Sequence, residues 1–191
     1  MTETDEAESG AARMRALAEA ARDASSRGPA PVHLWNPAHC GAIDMVIKAD
    51  GTWLYNGSPI GRPALVKLFS TVLRKDPEGF VLVTPAEKLS IIVEDAPFLA
   101  VETASEGEGR GRLIRFRTNV DETIDAGPGH EMRFEEDSSG GFRPYVRVRN
   151  DLWALVARSA VYDLVALAEE KDGRLGVWSG GEFFEMQGSD D

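Results

Sequence analysis

The sequence predicts an α+β protein made of two small domains, each built on a hairpin–helix–hairpin unit, with a helical appendage at the N-terminus. Two observations predict it. Short β-branched runs recur between turns rich in glycine and proline, which is the signature of antiparallel hairpins. Two segments break that rhythm with apolar residues at helical spacing, and each is followed by a glycine stop and a closing hairpin. With 191 residues the chain is long for one compact domain and short for two large ones, so the domains 31–97 and 98–191 are small, with 1–30 as the appendage.

The appendage carries Met14, Leu17, Ala18 and Ala21 at i, i+3, i+4 and i+7 on an alanine-rich stretch of high helix propensity. So small an apolar face is expected to dock weakly. Arg27-Gly28-Pro29-Ala30-Pro31 ends the helix and starts an extended linker. An irregular stretch over 32–41 leads to a strand over 43–48, a tight turn at Ala49-Asp50-Gly51 and a partner strand over 52–55. Pro63 suits the first turn of a helix, where its missing N–H costs nothing. Leu65, Leu68, Phe69, Val72 and Leu73 give that helix, placed over 62–75, its stripe. Runs at 80–83 and 89–93 then form a hairpin around Thr84-Pro85-Ala86-Glu87.

From 98 to 148 the chain reads as a meander, with strands at 98–102, 113–117, 120–124, 131–134 and 142–149. Asn150 suits an N-cap and Asp151 the first turn of a long helix over 150–170, with Leu152, Leu155, Val156, Ala160, Leu164 and Leu167 on its buried side. A last hairpin, 175–178 with 182–186, turns at Ser179-Gly180-Gly181. Strands, helix, glycine stop and hairpin thus occur twice in the same order, which predicts a duplication with the two helices in equivalent places.

Charge and composition exclude several classes. Against 21 basic residues stand 32 acidic ones, and a net charge of −11 repels polyphosphates, so no nucleic-acid polymer is expected as a partner. No apolar run approaches the roughly 20 residues that span a bilayer. The N-terminus is acidic, unlike a secretory signal, and the single Cys40 suits a reducing compartment, so a cytoplasmic protein without a membrane partner is expected.

Several motifs resemble a known family: Trp35-Asn36-Pro37, the run Asp50-Gly51-Thr52-Trp53-Leu54-Tyr55-Asn56-Gly57-Ser58-Pro59-Ile60 leading to Arg62, Thr84-Pro85-Ala86-Glu87-Lys88, Val93-Glu94-Asp95-Ala96-Pro97-Phe98 and Trp178-Ser179-Gly180-Gly181. In this order they resemble the proteobacterial domain-of-unknown-function family numbered 1285, over residues 31–186. The resemblance implies a duplicated two-domain core with a C-terminal half superficially like a pleckstrin-homology fold. It also implies a nucleotide-like ligand at the domain interface, in signalling.

The residues themselves carry no catalytic signature. There is no Gly-rich phosphate loop opening a helix and no Ser elbow, and Gly107, Gly109 and Gly111 lead into a strand. His33, His39, Cys40 and Asp44 are metal-ligand types at no standard spacing, so neither metal nor other cofactor is expected, and the thiol reads as buried. Aromatics near turns, together with a few cations, point instead to an anion site. Trp53, Tyr55, Tyr145 and Trp178 offer flat faces, and Arg62, Lys88 and Arg158 offer charge. Thr84 and Ser179, in the two closing turns, complete the candidate set. The expectation is a ligand-binding or sensory module for a small anionic, nucleotide-like molecule held between the halves. The alternatives are a protein-interaction adaptor and, third, an uncatalogued enzyme.

Overall fold

The computed structural model describes residues 3–25 and 30–186. The chain divides into a first unit, Met1–Glu94, and a second, Asp95–Asp191.

In the first unit, helix α1 (Glu3–Ser25) precedes β1 (His39–Ile47), β2 (Trp53–Tyr55), β3 (Ser58–Pro59), α2 (Pro63–Thr71), β4 (Leu73–Asp76), β5 (Gly79–Val83) and β6 (Lys88–Val93). The strands form one sheet of order β3-β2-β1-β6-β5-β4, two antiparallel meanders joined at the centre by the parallel pair β1–β6. Met45, Ile47, Trp53, Leu73, Leu82 and Leu89 are fully buried, as are Phe69 and Val72 at the end of α2. Val81 and Val83 pack with Val32 and Trp35 from the entry segment. The strand begins at His39, four residues earlier than expected. Its pairing with β6 slips twice before Val46, next to the left-handed Gly41, and that irregularity hides the strand from a pattern search. Cys40 is exposed, not buried.

α2 is shorter than the helix expected over 62–75. Ser70 and Thr71 turn their hydroxyls back to the carbonyls of Lys67 and Leu68, and Val72 already accepts a hydrogen bond from the amide of Val83. The chain therefore leaves the helix directly into an edge strand. α1 docks more firmly than its composition suggested: Leu17 and Ala21 are 1% and 0% exposed. At its other end Tyr55 Oη donates to the carbonyl of Gly10 (3.0 Å).

In the second unit β7 (Phe98–Glu106), β8 (Leu113–Thr118), β9 (Thr123–Asp125), β10 (Met132–Glu136), β11 (Phe142–Arg149) and β12 (Leu152–Val156) form a sheet of order β10-β11-β12-β7-β8-β9. Here too two meanders join through a parallel central pair, β12–β7. Numbered from its own first strand, this order is that of the first unit. Helix α3 (Arg158–Val165) follows, packing on β7 with the Thr103 hydroxyl donating to the carbonyl of Ala160 (3.1 Å). A three-stranded sheet of β13 (Glu169–Lys171), β14 (Arg174–Ser179) and β15 (Glu182–Glu185) closes the unit.

The helix expected over 150–170 is corrected by this arrangement. Asn150 sits in a left-handed turn, not a cap, and Leu152, Ala154 and Val156 point inward as alternate residues of a strand. Only 158–165 is helical. The two helices are not equivalent in connectivity: α2 joins the third strand to the fourth, whereas α3 follows the sixth. The repeat resides in the sheets.

Candidate functional site

The first unit holds a cavity of about 430 Å³ between α1, the β2–β3 hairpin and the start of α2. Its α1 wall consists of Ala11, Met14, Arg15, Ala18, Glu19 and Arg22, spaced so that one helix face presents all six. The facing wall is Tyr55, the segment Ser58–Arg62 and Leu65. Local sequence explains the shape. Pro63 starts α2 four residues after β3 ends at Pro59, leaving Arg62, with extended backbone, as the N-cap residue. The Tyr55–Gly10 hydrogen bond ties the hairpin to the N-terminal half of α1. Leu17 and Ala21, on the neighbouring face of α1, are buried and hold the helix in place.

The lining gathers three arginines, Arg15, Arg22 and Arg62. Many arginines elsewhere are matched by carboxylates, among them Arg74 with Asp76, Arg115 with Asp125, Arg117 with Glu102, Arg143 with Asp95 and Arg149 with Glu122, whereas Arg13, Arg110 and Arg158 stand exposed without one among the described residues. The guanidiniums of Arg15, Arg22 and Arg62 make no ion pair or hydrogen bond with any described residue, and among the described residues Glu19 is the only carboxylate on the lining. Unpaired guanidiniums in a concave, partly apolar setting can grip a carboxylate or phosphate through a planar fork of donors.

Of the residues singled out in the sequence, the cavity brings together Tyr55 and Arg62. Trp53 is 2% exposed in the core of the first unit, and its indole N–H has no partner among the described residues. Thr84 is buried and accepts the amide hydrogens of Ala86 and Glu87, so it shapes the β5–β6 turn. Lys88 donates to Asp76 (3.1 Å), which also receives two bonds from Arg74 (2.6 and 3.0 Å). The Arg74 hydrogen bonds, followed by those of Lys88, hold the Asp76 carboxyl below its usual 3.8 despite its burial.

In the second unit Tyr145 is buried, and burial raises its hydroxyl above the ordinary 10.0. It donates to Asp95 (2.9 Å) and accepts from Arg143 (3.1 Å). Ser179 is 0% exposed; its hydroxyl donates to the carbonyl of Ala126 (2.7 Å) and accepts from the amide of Ile114 (2.8 Å). Beside it Gly180, at φ +58°, lies against Gly127 so closely that a Cβ would meet the Ala126 carbonyl oxygen and the Gly127 Cα at 3.0 Å each. The Trp178-Ser179-Gly180-Gly181 motif therefore anchors the last hairpin to the main sheet. Trp178 is half-buried, edge-on to Phe183 and 5.0 Å from the Lys171 ammonium. Arg158 is exposed in the first turn of α3.

Arg15 and Arg22 fall outside the candidate set because the sequence reads 1–30 as an appendage. Their seven-residue spacing, on the same helical face as Ala18, was the available signal. Among the described residues no three of His, Cys, Asp or Glu are grouped so as to hold a metal ion, and no helix is long and apolar enough to cross a membrane.

Comparison with known proteins places the architecture. Residues 30–96 match the N-terminal domain, described as a domain of unknown function (DUF1285), and residues 97–186 match the C-terminal domain of the same family, described as a protein of unknown function. The chain belongs to the DUF1285 family. It is similar to a DUF1285 family protein from Silicibacter pomeroyi whose crystal structure was solved at 2.50 Å. That likeness has a TM-score of 0.83 and 49% identity over 88% of this chain and 93% of that one. A DUF1285 family protein from Shewanella baltica shares the fold alone, with a TM-score of 0.52 and 24% identity over 65% of this chain and 91% of that one. No curated protein matches the chain. Tyr55, Arg62 and Leu65 lie inside the DUF1285 N-terminal match, whereas the α1 wall of the cavity lies before it.

Proposed function

We propose that the chain is a ligand-binding module that takes a small organic anion in the cavity between α1, β2–β3 and α2. The observation that carries this reading is the set Arg15, Arg22 and Arg62, unpaired among the described residues and gathered on one cavity in an acidic chain. The volume, about 430 Å³, falls in the range of small-molecule sites. Tyr55 adds an aromatic ring to the wall, beside the aliphatic side chains. As a sensor, the module would report through α1, because that helix both walls the cavity and packs on the rest of the unit.

The test is thermal melting of the full chain against a panel of nucleotides, inorganic phosphate and organic acids. A ligand at 100 times its Kd contributes about 2.7 kcal/mol, or roughly 5–10 °C for a chain of this size. The shift should fall sharply in Arg62→Ala, while the melting temperature without ligand stays unchanged. A parent protein that no anion stabilises would remove the proposal.

A further inference from the structure

Resting on that reading, we infer that the ligand is an elongated carboxylic acid with an apolar body, and not a nucleotide. The lining face of α1 from Ala11 to Arg22 runs roughly 16 Å at 1.5 Å per residue, so the cavity is a groove along the helix. It has an aliphatic stripe as well as its charges: Ala11, Met14 and Ala18 from α1 face a wall that includes Pro59, Ile60 and Leu65. A nucleobase buried here would need acceptors as well as donors along its edges, and the three guanidiniums of the lining only donate. The side-chain acceptors there are the Glu19 carboxylate, the Ser58 hydroxyl and the Tyr55 hydroxyl, whose hydrogen goes to Gly10. An unpaired base edge costs more than its stacking on one tyrosine returns.

An unbranched acyl chain has no such requirement. It buries methylenes against the alanines, Met14 and Leu65, and leaves one acid group to be met by Arg62 and an arginine of α1. Three guanidiniums against one Glu19 give the lining the positive balance a carboxylate needs. The same acyl chemistry could arrive as a free acid or within a lipid surface. A concave groove, walled by two helices and a hairpin, fits the free acid.

The experiment is calorimetric titration of the full chain with octanoate, decanoate and dodecanoate below their micelle concentrations. Controls are methyl dodecanoate, AMP and phosphatidylglycerol vesicles. The acids should bind with affinity rising about fourfold per added methylene until the groove is filled. Methyl dodecanoate should bind at least about tenfold more weakly than dodecanoate, and Arg62→Ala should cost dodecanoate about tenfold. Met14→Glu, which places a charge on the floor at a half-buried helix position, should abolish dodecanoate binding with little change in melting temperature.

Binding of AMP without the acids would overturn the ligand class and leave the anion-site reading standing. Equal binding of acid and ester, indifferent to Arg62→Ala, would overturn both. So would a parent protein that binds none of the probes. Binding to vesicles alone would also overturn the inference, making α1 a surface-seeking helix.

Discussion

Asp76 shows how much one carboxylate organises at the margin of the first sheet. It receives Arg74 and Lys88, and Arg74 Nη1 in turn donates to the carbonyls of Val32 and Trp35 (2.7 Å each), tying the entry segment to the edge strand β4. Lys88 was legible in the sequence only as a cation near a turn; that its partner is Asp76 follows from β4 and β6 flanking β5 in the sheet. Because hydrogen bonds from Arg74, then Lys88, lower the folded Asp76 below its usual 3.8, its stabilisation is complete above that pH. It is lost as pH falls through the depressed folded value. Asp76→Asn should therefore destabilise by about 1–3 kcal/mol near neutrality. Urea unfolding from pH 7 down to pH 2 should show that deficit shrinking in the acid, where the parent carboxylate is protonated too. A deficit unchanged at pH 2 would mean that the cluster acts through packing and not through charge.

At the scale of the element, residues 150–170 illustrate why periodicity alone misleads. Leu152, Leu155, Val156, Ala160 and Leu164 satisfy a helix, yet Leu152, Ala154 and Val156 satisfy a strand equally well. The choice is made by neighbours. The segment finds β11 on one side and β7 on the other, so its backbone groups are paired in a sheet before the helix begins at Arg158. Ala154 separates the two descriptions, since a helix would put it opposite the stripe and the strand buries it completely between Val146 and Phe98. Ala154→Asp should cost about 3 kcal/mol or more, measured by chemical denaturation, because a charge is placed where no partner can reach it. A loss under about 0.5 kcal/mol, typical of surface substitutions, would contradict the strand.

For the whole molecule, the shared order of the two sheets predicts where each unit is most resistant to opening. In both, the first and sixth strands pair in parallel at the centre and the meanders end in short edge strands. Amide hydrogen exchange should leave β1, β6, β7 and β12 protected longest, with β3, β9 and β10 exchanging first. Uniform protection across either sheet would show that it opens as one piece, without a privileged central pair. The sequence by itself determined the family, the mixed α+β class, the meanders from Phe98 onward and the closing hairpins, because turn chemistry and alternation are local. Two of the residues it singled out, Tyr55 and Arg62, line the cavity. Tertiary structure decided the rest. The parallel central pairs join strands far apart in the chain, the fate of 150–170 depended on its sheet neighbours, and Arg15 and Arg22 line the cavity only because Leu17 and Ala21 dock α1 in the first unit. Local pattern records what a segment can bury; which surface it meets is set by contacts between segments.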